Sequence, residues 1–168
     1  MEHLMANEDA MLYFPLFNYS DGNLDALRAL HTSPHTMMGL SDAGAHCGAI
    51  CDGGMPTFML THWARDRAQG IPLPQVIHRQ TQATARSFGL SDRGVIAPGY
   101  RADLNIIDME HLCLRRPEMR FDLPAGGRRL VQRAVGYRMT LCNGVPIVEN
   151  DTLTEQRPGR LLKVQMTH

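Results

Sequence analysis

The 168-residue sequence predicts an α/β fold in two parts, and three observations predict it. Residues 10–42 alternate between apolar runs and an amphipathic stretch in a strand–helix–strand pattern. Two further helical patterns follow before residue 89. From about residue 90 the chain turns to short β-prone runs punctuated by Pro-Gly and Asn-Gly. The boundaries implied are 1–89 for the α/β part and 90–168 for a small β part.

The aromatic and apolar run "AMLYFPLFNY", Ala10 to Tyr19, is long enough for a buried strand, with Pro15 marking an end or a bulge. A helix follows, with Asn23 as N-cap, Leu24, Leu27 and Leu30 at helical spacing, and Pro34 as its stop. Thr36 to Leu40 reads as a second strand, parallel to the first because a helix separates them. After the glycine-rich "GAICDGG", Pro56 opens a helix at the position that proline tolerates best. Phe58, Met59, Leu60, Trp63 and Ala64 form its apolar face, and Gly70 ends it. The next helix follows Pro74, with Gln80 a polar interruption and Gly89 as C-terminal cap. Trp63 and the scattered methionines read as core.

In the second part, Ala102 to Ile107 is a strand-like run after the Pro98-Gly99 turn. Residues 109–129 are rich in arginine, proline and glycine and read as a long loop. Asn143-Gly144 between two β-prone runs predicts a type I′ hairpin, whose two central residues both need positive φ. The tail from about residue 156 is irregular in pattern.

Composition narrows the partners. Formal net charge is zero, with 17 basic and 17 acidic residues, so charge gives no reason to propose nucleic acid or an anionic membrane. No apolar run approaches the ~20 residues needed to span a bilayer. The opening "MEHLMANEDA" is acidic with no apolar core, which predicts a cytoplasmic protein without a secretory leader. The four cysteines, Cys47, Cys51, Cys113 and Cys142, then read as free thiols. Cys47 and Cys51, flanked by His46 and Asp52, could form a small metal site or be half-buried apolar residues. A zinc site would need a second ligand pair, and no such spacing occurs.

The segment "GLSDAGAH", Gly39 to His46, places an acid at the end of an apolar run, with three of the smallest residues behind it. By pattern alone Asp42 is a loop acid making an Asx turn or capping the next segment. His46 is a polar loop histidine or a contact to substrate or to Asp42. His31, His35, His62 and His78 read as surface or satisfied-core residues, and Asp103 as a structural acid ordering a turn.

Two segments together resemble a known family: "GLSDAGAH", and "GLSDRGVIAPGYRADLNIID" with "LCNGVPIVENDTLTEQRPGRLL" downstream. The pattern Gly94, Ile96, Pro98, Gly99, Ala102, Asp103, Leu104 is similar to that of the amidohydrolase superfamily. The Asn-Gly hairpin and "RPGR" resemble its D-aminoacylase, or N-acyl-D-amino-acid deacylase, group. The resemblance implies a C-terminal fragment of a (β/α)8 metal-dependent hydrolase barrel, with the last strand–helix units in 1–89 and part of a small β-sandwich in 90–168. Thr36–Leu40 would be the last barrel strand. Asp42 would stand at its C-terminal mouth, where barrel active sites lie. The implied reaction is amide hydrolysis of N-acyl-D-amino acids: a metal-bound hydroxide attacks the carbonyl, and Asp42 accepts a proton and hands it to the amine.

The implied cofactor is zinc, with Asp42 as ligand or as contact to the metal-bound water, and His46 toward substrate. The family's metal-binding H-x-H pair is missing from this sequence, and one carboxylate cannot hold zinc tightly. The chain alone is therefore expected to be incomplete and inactive. The implied partners are a small-molecule N-acyl amino acid and a second copy or another chain supplying the rest of the barrel. The alternatives are a subunit of a split amidohydrolase, including dihydroorotase-like or hydantoinase-like types, and a non-catalytic binding or assembly module.

Overall fold

The computed structural model describes residue 19, residues 21–39 and residues 41–162. The chain divides into two compact units, Met1–Thr36 and Met37–His168.

The first unit carries helix α1, Asp25–Thr32. Asn23 caps it one residue early: its Oδ1 accepts the Asp25 amide at 2.8 Å. The helix stops where Ser33 turns to extended backbone ahead of Pro34, as the residue before a proline must. The Thr36 hydroxyl donates to the carbonyls of Leu30 and Ser33 at the helix end. The strand expected over Ala10–Tyr19 lies outside the described residues, except for Tyr19, which has no regular structure.

The strand expected over Thr36–Leu40 is corrected: residues 36–39 have no regular secondary structure, and residue 40 lies outside the described set. Every strand pair among the described residues is antiparallel. A short apolar run becomes a strand only when a neighbour satisfies its amides and carbonyls, and no such partner is present among the described residues.

In the second unit, helix α2 covers residues 55–66. It is α-helical over Met55–Phe58, with Pro56 in its first turn, and a π-helix over Met59–Asp66. It ends at Asp66, where Arg67 becomes extended, four residues before Gly70. Gly70 serves close approach instead: a Cβ there would lie 2.5 Å from the Trp63 carbonyl oxygen, which accepts the Ile71 amide at 2.7 Å. Helix α3 covers residues 73–87, with α-helical ends Leu73–His78 and Thr84–Ser87 around a π-helical centre, Arg79–Ala83. Gly89, at φ 69°, closes it in a Schellman motif: Leu90 donates to Ala85 at 2.8 Å and Gly89 to Arg86 at 3.0 Å. Gln80, the polar interruption, donates from its side chain to the Pro56 carbonyl at 3.2 Å and so ties α3 to the start of α2.

The strands are β1 Leu104–Ile107, β2 Cys113–Leu114, β3 Glu118–Leu123, β4 Gly127–Val131, β5 Ala134–Val135, β6 Tyr137–Cys142, β7 Val145–Glu149 and β8 Thr152–Leu153. A four-stranded sheet has the order β1-β6-β7-β8, and β2–β5 and β3–β4 form two ribbons. Asn143 and Gly144 join β6 to β7 at φ 51° and 80°, as a type I′ turn requires.

The loop expected over 109–129 is also corrected. It contains β2, β3 and most of β4, with the turn Pro124–Gly126 at the hairpin tip. Arg120, Asp122, Arg128 and Arg129 are exposed hairpin residues, paired in part: Arg129 grips Asp122 with two bonds of 2.7 Å.

The core joins Met59, Leu60 and Trp63 of α2, Ile71 in the α2–α3 connection, Val76 and Ala85 of α3, and Leu112 beside β2, all buried. Trp63 is thus the core residue expected of it. Two polar ties fasten helices to strands. The hydroxyls of Thr57 and Tyr137 share a 2.7 Å hydrogen bond. Arg65 donates from Nη1 to the carbonyls of Met109 (2.7 Å) and Leu112 (2.8 Å).

Candidate active site

The segment after residue 40 is a chain of tight turns made possible by small residues. The Asp42 carbonyl accepts the Ala45 amide at 3.0 Å. Gly44 (φ 97°) and His46 (φ 44°) both take the left-handed region, which redirects the backbone twice within three residues. The His46 carbonyl then accepts the amides of Ala49 (2.7 Å) and Ile50 (3.1 Å), closing a helical turn. A 3₁₀ turn, Asp52–Gly54, leads into α2.

This loop packs on the arginine hairpin. The Leu130 amide donates to the Cys47 carbonyl at 2.7 Å, and the Cys47 thiol faces the Arg128 carbonyl at 3.8 Å. A cleft of about 440 Å³ lies between the two, lined by Ala43, Gly44, Cys47 and Cys51 on one side and by Arg129 and Gln132 on the other. Burial pushes the Cys51 thiol up, and the neighbouring Asp52 carboxylate adds to the shift. A larger open groove of about 780 Å³ runs past Leu60, Ile77, Thr84, Ile107 and Tyr137, but neither Asp42 nor His46 lines it.

Asp42 and His46 are both exposed and sit two turns apart on this loop. Among the described residues the Asp42 carboxylate accepts no hydrogen bond, so its side chain forms neither an Asx turn nor a cap. Only its backbone carbonyl takes part in the turn. No hydrogen bond joins His46 to Asp42 among those residues. Ala43 and Gly44, which follow Asp42 in the chain, line the cleft, whereas Asp42 and His46 are not among its lining residues.

The donor set does not fit zinc. Among the described residues no three His, Cys, Asp or Glu side chains converge as a metal site would require. Cys47 and Cys51 line one cleft, but neither His46 nor Asp52 completes a ligand set with them.

Asp103 has the structural role its sequence context suggested. Its Oδ1 accepts the Asn143 amide at 2.7 Å and its Oδ2 accepts Arg93 at 2.9 Å, so the Pro-Gly-Ala-Asp motif pins the Asn-Gly hairpin. Beside it, Arg101 and then Arg93 hold the Asp92 carboxyl below the usual carboxylate range. Sequence reasoning missed the contribution of the hairpin to the cleft. The alternation in "EMRFDL" followed by "PAGG" was the available signal.

Comparison with known proteins gives the family. Residues 8–148 match the model of the Amidohydrolase family, and the chain belongs to that family. It is 33% identical over 104 residues to a D-aminoacylase of Alcaligenes xylosoxydans xylosoxydans, covering 62% of this chain and 19% of that protein. It is 43% identical over 80 residues to an adenine deaminase of Sinorhizobium fredii (strain NBRC 101917 / NGR234), covering 47% of this chain and 13% of that protein. Among solved structures, a crystal structure of D-aminoacylase aligns with a TM-score of 0.46 and 31% identity over 60% of this chain and 19% of that chain. The chain thus spans about a fifth or less of the length of these relatives. No helix among the described residues is long and apolar enough to cross a membrane.

Proposed function

We propose that this chain contributes a proton-transfer carboxylate, Asp42, to the hydrolysis of a C–N bond in an N-acyl-D-amino acid. The observation that carries the reading is the exposed Asp42 carboxylate, which accepts no hydrogen bond among the described residues and directly precedes the cleft-lining Ala43 and Gly44, in a chain of amidohydrolase membership. A carboxylate can accept a proton from attacking water. The acid so formed can protonate the departing nitrogen, which an amide needs in order to cleave. His46, on the same loop, is offered to the substrate.

The residues described here do not hold a metal, so no step is routed through one. Zinc belongs to the reading only with ligands from other polypeptide: a partner chain, or a second copy, that supplies the rest of a barrel. On this reading residues 1–89 belong to the barrel's last units and 90–168 to the small sandwich. The adenine deaminase relatives favour a second substrate class, since one is 43% identical over 80 residues. In either case the reaction is hydrolysis of a C–N bond, and the specificity would be set by strand-end loops.

The test is a paired assay. The purified chain, alone and mixed with a complementary barrel polypeptide carrying the H-x-H strand, is given zinc, then N-acetyl-D-amino acids and adenine in parallel. Ammonia release from adenine without amino-acid release would transfer the proposal to the second class. Tight stoichiometric zinc in the chain alone would contradict the need for a partner.

A further inference from the structure

The zero net charge of the whole chain conceals an uneven distribution. From Arg115 to Arg133 there are six arginines against two acids, an excess of four positive charges, and this stretch holds the β3–β4 hairpin. Glu118 is shared by Arg120 (2.9 Å) and Arg133 (3.3 Å), and Asp122 is held by Arg129. Arg128 is exposed and has no ion pair among the described residues. Arg120 stands directly opposite Arg129 in the strand register, a pairing of like charges that costs stability unless an anion offsets it. Two acids are too few to offset the whole set.

The tip of the hairpin has the opposite character. No charged side chain lies from Leu123 to Gly127, and Pro124, Ala125 and Gly126 are all exposed. Pro124 also has no amide hydrogen to offer a phosphate. Phe121, on β3 just before this turn, is 70% exposed. A single exposed apolar side chain is ordinary on a protein surface. An aromatic ring and an uncharged turn backed by an arginine excess are what a segment lying in a lipid headgroup layer needs: the apolar part enters, and the cations behind it meet anionic headgroups. A nucleic acid would instead need cations at the point of contact, where this tip has none.

We propose that the tip of the β3–β4 hairpin is a docking site for an anionic lipid surface. Phe121 and the turn at Pro124 enter the headgroup layer, and Arg120, Arg128 and Arg129 lie against the headgroup anions. The Leu130 amide, bonded to the Cys47 carbonyl, already ties the hairpin to the neighbouring loop, so docking does not have to order it. The docking does not depend on the chemistry proposed for Asp42.

The test sediments the full chain with sucrose-loaded vesicles of phosphatidylcholine, with or without phosphatidylserine as about a third of the lipid. Binding is expected only with phosphatidylserine, and should fall away as salt rises from ~0.05 to ~0.5 M. Arg128→Gln should weaken it about fivefold and Phe121→Ser about tenfold. Arg86→Gln, which removes an exposed arginine on α3, should leave it unchanged. Phe121→Trp should retain binding, and brominated lipid should quench the added indole while the buried Trp63 keeps its emission. Both hairpin positions are exposed, so the urea midpoints of these variants should match that of the unaltered chain. No sedimentation with phosphatidylserine, equal sedimentation without it, or equal losses in Arg86→Gln and Arg128→Gln would each overturn the proposal. So would an unquenched Trp at position 121, or hairpin-dependent binding of a single-stranded oligonucleotide without binding of vesicles.

Discussion

The amide of Leu130 donates to the carbonyl of Cys47 at 2.7 Å, and this bond joins the Asp42 loop to the arginine hairpin. The two residues are far apart in sequence, so the bond is a long-range tie between the loop and the hairpin. Amide exchange followed by NMR should show Leu130 opening together with Ala49 and Ile50, whose amides close the adjoining turn. Exchange of Leu130 at the rate of an exposed loop amide would mean that the hairpin is not a wall of the cleft.

Thr57 and Tyr137 share a part-buried hydroxyl pair at 2.7 Å, with Thr57 only 4% exposed. Tyr137→Phe removes one partner and strands the other. The expected loss is about 1–3 kcal/mol in urea unfolding at pH 7. Adding Thr57→Val should cost less than the sum of the single changes, because the double variant leaves no unpaired hydroxyl.

Asp108 accepts from the His111 ring (3.0 Å), from Arg138 (2.6 Å) and from the His111 amide (3.2 Å). The His111 ring first, then Arg138, depress its carboxyl to about 2. An unfolded aspartate titrates near ~3.9. The stabilisation is therefore complete above pH ~4 and is lost as the pH falls through about 2. Asp108→Asn should flatten the acid limb of a melting-temperature profile in that window and leave the slope above pH 5 unchanged.

His62 presents the opposite chemistry with the same sign. It stacks on Phe58 at 4.7 Å between centroids and meets Trp63 edge-on, and its buried Nε2 has no hydrogen-bond partner among the described residues. Burial, then the Arg67 guanidinium, lower its pKa, while the Asp66 carboxylate opposes them. The unfolded chain thus takes up the proton first. The stabilisation from neutral His62 is whole above pH ~6.5 and declines as the pH falls below it. His62→Phe keeps the stack and should remove this part of the pH dependence in urea unfolding between neutral and mildly acidic pH.

Where a residue type dictates local geometry, the sequence was a reliable guide. Asn143-Gly144 turned as positive φ demands, Pro56 opened α2, Gly89 capped α3, and Asp103 proved to be a turn-ordering acid. The errors fell where a partner decides. The Thr36–Leu40 run looked like a strand, yet residues 36–39 find no ladder among the described residues. Residues 109–129 looked like a loop because their charges resemble solvent-facing linker. Strand pairing and the Asp122–Arg129 ion pair make those charges the exposed residues of a hairpin. Asp42 was singled out by resemblance more than by pattern. The structure adds that its carboxylate is not spent on the turn its backbone makes.

The central claim is that Asp42 moves a proton in C–N bond hydrolysis. Its most direct test compares Asp42→Asn with the unaltered chain, each completed by the same barrel polypeptide and zinc, in steady-state hydrolysis of an N-acetyl-D-amino acid. The account predicts a kcat lower by roughly 10²–10⁴-fold with KM nearly unchanged, as removal of a proton-transfer group gives. An asparagine variant that turns over at the rate of the unaltered chain would contradict it.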